Sequence, residues 1–121
     1  MTRAILLVDH GSQLAEANRV LDRIADAVRR RLHGEIVEVA HMELAEPSLA
    51  AGLDRCTARG AREVVVCPYF LGPGRHTSRD IPQLVEQARA AHPAVRVRVA
   101  APLGFDERLV DVLLARVDAA V

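Results

Sequence analysis

The sequence predicts an α/β fold of the flavodoxin-like kind, a three-layer sandwich. Its four-stranded parallel sheet runs in the order 2-1-3-4 with helices on both faces. Three observations carry this. Short apolar runs alternate four times with segments of helical periodicity, giving βαβαβαβα with brief connections. The first and third runs are continuously apolar and suit the middle of a sheet, while the second and fourth carry Glu38, Arg96 and Arg98 and suit its edges. The chain has 121 residues and no internal repeat or low-complexity stretch, so residues 1–121 are expected to form one domain.

Each element has its own signal. Arg3-Ala4-Ile5-Leu6-Leu7-Val8 is too short for an isolated helix and reads as a buried strand, broken by the turn residues Asp9-His10-Gly11-Ser12. From Gln13 to Leu32, Ala17, Val20, Leu21, Ile24, Ala27 and Val28 recur at helical spacing, and Gly34 supplies the stop. Glu35 to Met42 alternates as a second strand, and Pro47 fits the first turn of a helix whose stripe is Leu49, Leu53 and Cys56, ending near Gly60. Val64-Val65-Val66-Cys67 is the third strand, and Pro68 should loosen its pairing because it cannot donate. Ile81, Leu84, Val85 and Ala88 then mark a helix closed by His92-Pro93, and Val95 to Val99 alternates strictly as a half-exposed strand. Asp106 can cap a last helix with Leu109, Val110, Leu113, Leu114 and Val117 on its inner face.

Composition narrows the chemistry. The chain carries 16 acidic and 16 basic residues, so its charge gives no case for nucleic acid. Every basic residue is Arg. The absence of Lys excludes a Schiff-base lysine, a lysine general base and the lysine of a Walker A loop. Half the residues are hydrophobic and 2% aromatic, so the core is built from Val, Leu, Ile and Ala. Cys56 and Cys67 sit in apolar surroundings and read as reduced, buried thiols. No basic segment precedes a long apolar run and no stretch is long enough to span a bilayer, so a soluble, cytoplasmic protein without membrane contact is expected.

The functional edge is set by topology. In a 2-1-3-4 sheet the switch point lies between strands 1 and 3, at their carboxyl ends. His10 stands just past strand 1, and His76 lies in the loop Gly72-Pro73-Gly74-Arg75-His76 after strand 3. Glu43 arrives at the same edge from strand 2, so three groups able to bind a divalent metal or move protons converge there. Each also has a plainer role: His10 as a turn residue, His76 as a loop residue, Glu43 as a solvated carboxylate ahead of a helix. Arg75 and Arg79 can pair with the carboxylates of an acidic ligand or serve as surface arginines. His41 shares a strand face with Glu43, either backing it or filling the edge strand, and His33 and His92 suit helix C-termini. The glycines are not a GxGxxG, and Ser12 stands in no GxSxG elbow.

Three segments carry a wider resemblance. Leu7-Val8-Asp9-His10-Gly11-Ser12, His41-Met42-Glu43-Leu44-Ala45-Glu46-Pro47-Ser48-Leu49 and Pro68 to His76 with Asp80-Ile81-Pro82 resemble, in order and spacing, the CbiX/SirB family of sirohydrochlorin chelatases. The resemblance covers essentially the whole chain, and its third segment is the most specific. It implies a class II chelatase fold and an enzyme, a lyase, that inserts Co²⁺ or Fe²⁺ into a sirohydrochlorin-type tetrapyrrole in cobalamin or sirohaem synthesis. By position, His10 and His76 match the family's metal-binding and catalytic histidines, and Glu43 an acidic residue of the same cleft. Ser12, Gly72, Gly74, Arg75 and Arg79 are the positions expected to meet the tetrapyrrole. No permanently bound cofactor is implied: the divalent metal, Co²⁺, Fe²⁺ or Ni²⁺, is a substrate. One copy of the domain resembles the short members, which act as homodimers with the tetrapyrrole between subunits. Two positions depart from the pattern: Gln13, where Arg is common, and Cys67. A non-catalytic metal or tetrapyrrole carrier built on the same histidines, or an anion module using Gly72 to Ser78, is the alternative reading.

Overall fold

The computed structural model describes residues 2–72 and 77–120. The elements run β1 (Arg3–Asp9), α1 (Ala15–Arg31), β2 (Ile36–His41), α2 (Leu49–Ala58), β3 (Glu63–Pro68), α3 (Thr77–Arg89), β4 (Arg96–Val99) and α4 (Glu107–Ala119). The four strands form one parallel sheet in the order β2-β1-β3-β4, as the charge pattern of the strands predicts. All carboxyl ends therefore point to one edge, with Asp9 ending β1 and His41 ending β2 beside it.

The period of two along β1 divides the core. Ala4, Leu6 and Val8 face a layer built from α2 and α3, where Leu53, Val64, Val66 and Ile81 are fully or almost fully buried. Leu7, together with Ile5, packs toward α1 through Leu21 and Ala25. Handedness explains the division. The chain moves one way along the sheet from β1 to β2 and the other way from β2 to β4, and right-handed crossovers then put α1 on one face and α2 and α3 on the other.

Helix starts match the sequence with one correction. Ser48, whose hydroxyl accepts from the Ala51 N–H at 3.2 Å, caps α2, so Pro47 stands ahead of the cap after a cis peptide bond rather than in the first turn. Asp106 caps α4 as expected, accepting from the Arg108 N–H at 2.9 Å. The Arg108 guanidinium holds its carboxyl well below the usual range.

The expected inner face of α4 is a second correction. None of its residues is buried; Leu113 is 63% and Val117 60% exposed, and Leu109 and Val110 are only half-covered. The sheet face that a helix after β4 would cover is also open, since Val65 and Cys67 are half-buried while their neighbours Val64 and Val66 are sealed from the other side. Among the described residues no helix is long and apolar enough to cross a membrane.

Candidate functional site

The site is built where β1 and β2 end. Parallel pairing does not stop with the strands: Met42 N–H donates to the Asp9 carbonyl at 2.9 Å, and Glu43 N–H to the His10 carbonyl at 3.0 Å. The two loops leaving the sheet are thus fastened to each other rung by rung. Gly11 comes next with φ +86, and a Cβ there would lie 1.9 Å from the Glu43 carbonyl oxygen. Only glycine allows that approach and that backbone angle together. Leu44, next after Glu43, also holds a left-handed φ of 68, which costs a residue with a Cβ on the order of 1 kcal/mol or more.

The loops present His10 and Glu43, both exposed, to one cavity of about 420 Å³. Its opposite wall is α3, through Asp80, Gln83, Leu84 and Gln87. A second groove of about 360 Å³ opens on the other side of His10, walled by the apolar parts of Ala17, Val20, Leu21, Tyr69 and Phe70. His10 therefore stands between a recess of mixed polarity and an apolar one. Its ring is held edge-on by Phe70, with centroids 4.7 Å apart at 60°.

The remaining expected residues divide. Ser12 lies beside His10, but its groups organise the start of α1: its hydroxyl accepts from Leu14 N–H at 3.0 Å, and its N–H and carbonyl clasp the Asn18 amide at 2.9 and 2.8 Å. Gly72 is exposed in the loop leaving β3, and Arg79 is exposed in the first turn of α3. Gly74, Arg75 and His76 lie outside the described residues. Among the described residues no three His, Cys, Asp or Glu side chains are grouped to hold a metal ion. The thiols are unsuited to metal as well, because burial pushes Cys56 up to about 12 and raises Cys67, keeping both protonated near neutral pH.

Sequence reasoning missed three features. Phe70 carried no signal as the support of His10. Asp80, Gln83, Leu84 and Gln87 recur at i, i+3, i+4 and i+7, a spacing that marks one helix face and could have pointed to the cavity wall. The contact between Asp9 and His41 was also missed, although both end their strands in register.

Comparison with known proteins agrees with this fold. The family model described as CbiX matches residues 4–120. The chain is 42% identical over 113 residues to the chloroplastic sirohydrochlorin ferrochelatase of Arabidopsis thaliana, covering 93% of this chain and 50% of the relative. It is 35% identical over 118 residues to the sirohydrochlorin cobaltochelatase of Sulfolobus acidocaldarius, covering 97% and 91%. Among solved structures, the sirohydrochlorin chelatase SirB from Bacillus subtilis subspecies spizizenii, in complex with cobalt, superposes with a TM-score of 0.91 at 28% identity, covering 98% of this chain and 51% of that one. A cobalamin biosynthesis CbiX protein from Marinobacter aquaeolei VT8 gives a TM-score of 0.80 at 32% identity, covering 98% and 99%. The chain thus spans about half the length of the ferrochelatase relatives, and nine-tenths or more of the short ones. With the sheet order and a match over nearly all its residues in agreement, the chain belongs to the CbiX family.

Proposed function

We propose that this chain is a sirohydrochlorin chelatase that inserts a divalent metal, Co²⁺ or Fe²⁺ with Ni²⁺ also acceptable to its donors, into the macrocycle for cobalamin or sirohaem synthesis. The single observation that carries the reading is the meeting of His10 and Glu43, from two different strand ends, at one open cavity whose other wall is α3. Names of the similar proteins support it, since the relatives at 42% and 35% identity are a ferrochelatase and a cobaltochelatase of sirohydrochlorin.

Insertion requires water to be stripped from the ion and two pyrrole N–H protons to be removed. Neutral imidazoles suit both tasks, holding the ion at modest affinity and accepting protons near neutral pH. In this reading His10 and His76 hold and deliver the metal, and Glu43 loads the cation or relays the protons. Arg75, Arg79, Gly72, Gly74 and the turn at Ser12 meet the acidic periphery of the tetrapyrrole. The apolar groove on the far side of His10, with Val20 and Tyr69 in its wall, suits one edge of a flat ring. No cage of thiolates competes for the ion, which has to leave.

Residues 1–121 act as one unit and pair as a homodimer. The uncovered α4 face and the half-open sheet beside Val65 and Cys67 support pairing, as does the existence of relatives about twice as long. A reducing cytoplasm is the setting in which Cys56 and Cys67 remain thiols.

The test is an anaerobic assay with sirohydrochlorin and each metal in turn, followed by absorbance. Turnover of many equivalents per chain is expected, abolished by His10→Ala and by His76→Ala. Binding that stops at one equivalent would make the chain a carrier and overturn the proposal.

A further inference from the structure

His41 is the sole buried polar or charged residue among the described residues, 3% exposed. An imidazole in that position is costly unless it is bonded. Its Nδ1 lies 2.5 Å from Oδ1 of Asp9, whose side chain is 19% exposed. With a carboxylate as acceptor, Nδ1–H is the donor, which fixes the ring's orientation. Asp9 and His41 are register partners in the parallel β1–β2 pair and the last residues of their strands.

Both strand ends lead straight into the site. His10 is the next residue after Asp9, and Glu43 is two residues after His41. The rungs beyond the pair, Met42 N–H to Asp9 O and Glu43 N–H to His10 O, carry its registry directly to those two side chains. His41 is also held through its backbone, its own N–H donating to the Pro47 carbonyl at 2.8 Å. A Cβ on Gly11 would stand 3.0 Å from the His41 Cβ, so the loop has no slack on that side. His41 lines neither recess beside His10, and Asp9 contributes only to the apolar one.

We propose that the Asp9–His41 bond is a positioning clamp that sets the separation of His10 and Glu43, and thereby the affinity with which their cavity holds a divalent cation. The inference rests on the chelatase reading of that cavity. Asp9 and His41 are positioning residues: neither touches the ion. A partner hydrogen-bonded directly to a metal ligand is worth about 10- to 100-fold in metal affinity, and a pair acting on the ligands through the backbone belongs at the lower end of that range.

The experiment is a Co²⁺ titration of the full chain, by calorimetry and visible absorbance, well below the unfolding midpoint, run beside the turnover assay. Asp9→Ala should raise the Kd for Co²⁺ about tenfold and raise KM for the metal, with KM for the tetrapyrrole unchanged. Asp9→Asn, which keeps a weaker, uncharged acceptor oxygen in place, should bind Co²⁺ more tightly than Asp9→Ala. His41→Leu keeps the ring's place filled without the donor and should show its own rise of about tenfold in Kd, so the test stands where Asp9→Ala does not fold. A purely structural pair would lower the unfolding midpoint and the fraction of active protein while leaving Kd where it was. Wild-type Kd in Asp9→Ala or His41→Leu would overturn the clamp and leave the chelatase standing, as would a wild-type chain that turns over without measurable Co²⁺ binding. Clamped Co²⁺ binding without any turnover would overturn the chelatase and leave the clamp.

Discussion

The N–H of Glu43 donates to the carbonyl oxygen of His10 over 3.0 Å, so these two residues of the cavity wall are one hydrogen bond apart along the backbone. Their distance is set by parallel-sheet geometry continued past the strands, and by the absence of a side chain at Gly11. Rigid strand ends are better holders of such groups than free loops.

Gly11→Ala puts a methyl group where the Glu43 carbonyl stands and forces alanine to φ +86. The two penalties, overpacking and a left-handed backbone, together cost about 2–5 kcal/mol. Urea unfolding should show a midpoint lowered accordingly. An unchanged midpoint would mean that the β1 and β2 exits separate freely.

His10→Ala and His76→Ala should each lower kcat/KM for metal insertion by about 10²-fold or more, and Glu43→Gln by about tenfold. His10 and Glu43 are exposed, so their variants should unfold at the wild-type temperature. Calorimetry beside the assay separates lost chemistry from lost fold.

Burial of the Cys56 thiol makes alkaline pH a stress on the fold. Its pKa is pushed up to about 12 from an ordinary value of 9.0, so folding favours the protonated form. The stabilisation is complete below pH 9 and is lost as pH rises from there toward 12, amounting to about 2 kcal/mol by pH 10.5. Cys56→Ala should therefore lose less stability than wild type between pH 8 and pH 10.5 in chemical unfolding. Parallel pH profiles would refute the assignment.

Leu113→Glu with Val117→Glu should convert a dimer to a monomer in light scattering. Both side chains are more than half exposed within one chain, so the monomer should keep its fold. A dimer mass kept by the doubly substituted chain would rule out α4 as the interface, and a monomeric wild-type chain would overturn the proposed pairing.

Much of this was legible in the sequence because the signals were local. Apolar runs against charged ones indicated the sheet order, and Asp106 marks the start of the last helix, whereas the Ser48 cap displaced the expectation that Pro47 opens α2. The arrival of His10 and Glu43 at one edge came from topology alone. What was not legible depends on packing across the chain. The Leu113 and Val117 stripe reads as an inner face whether a helix packs on its own sheet or on another molecule. The Asp9–His41 contact needs the register of two strands known to the residue, which alternation does not provide. Phe70 behind His10 depends on the path of the loop after β3, which has no periodic signal.

The central claim, that His10 and His76 deliver one cation at a shared mouth, is tested most directly by crystals soaked anaerobically with Co²⁺ and measured at the cobalt absorption edge. The account predicts a single strong anomalous peak about 2.1 Å from an imidazole nitrogen of His10 and one of His76, with Glu43 facing it. A peak on other side chains, or one that survives in His10→Ala at full height, would contradict it.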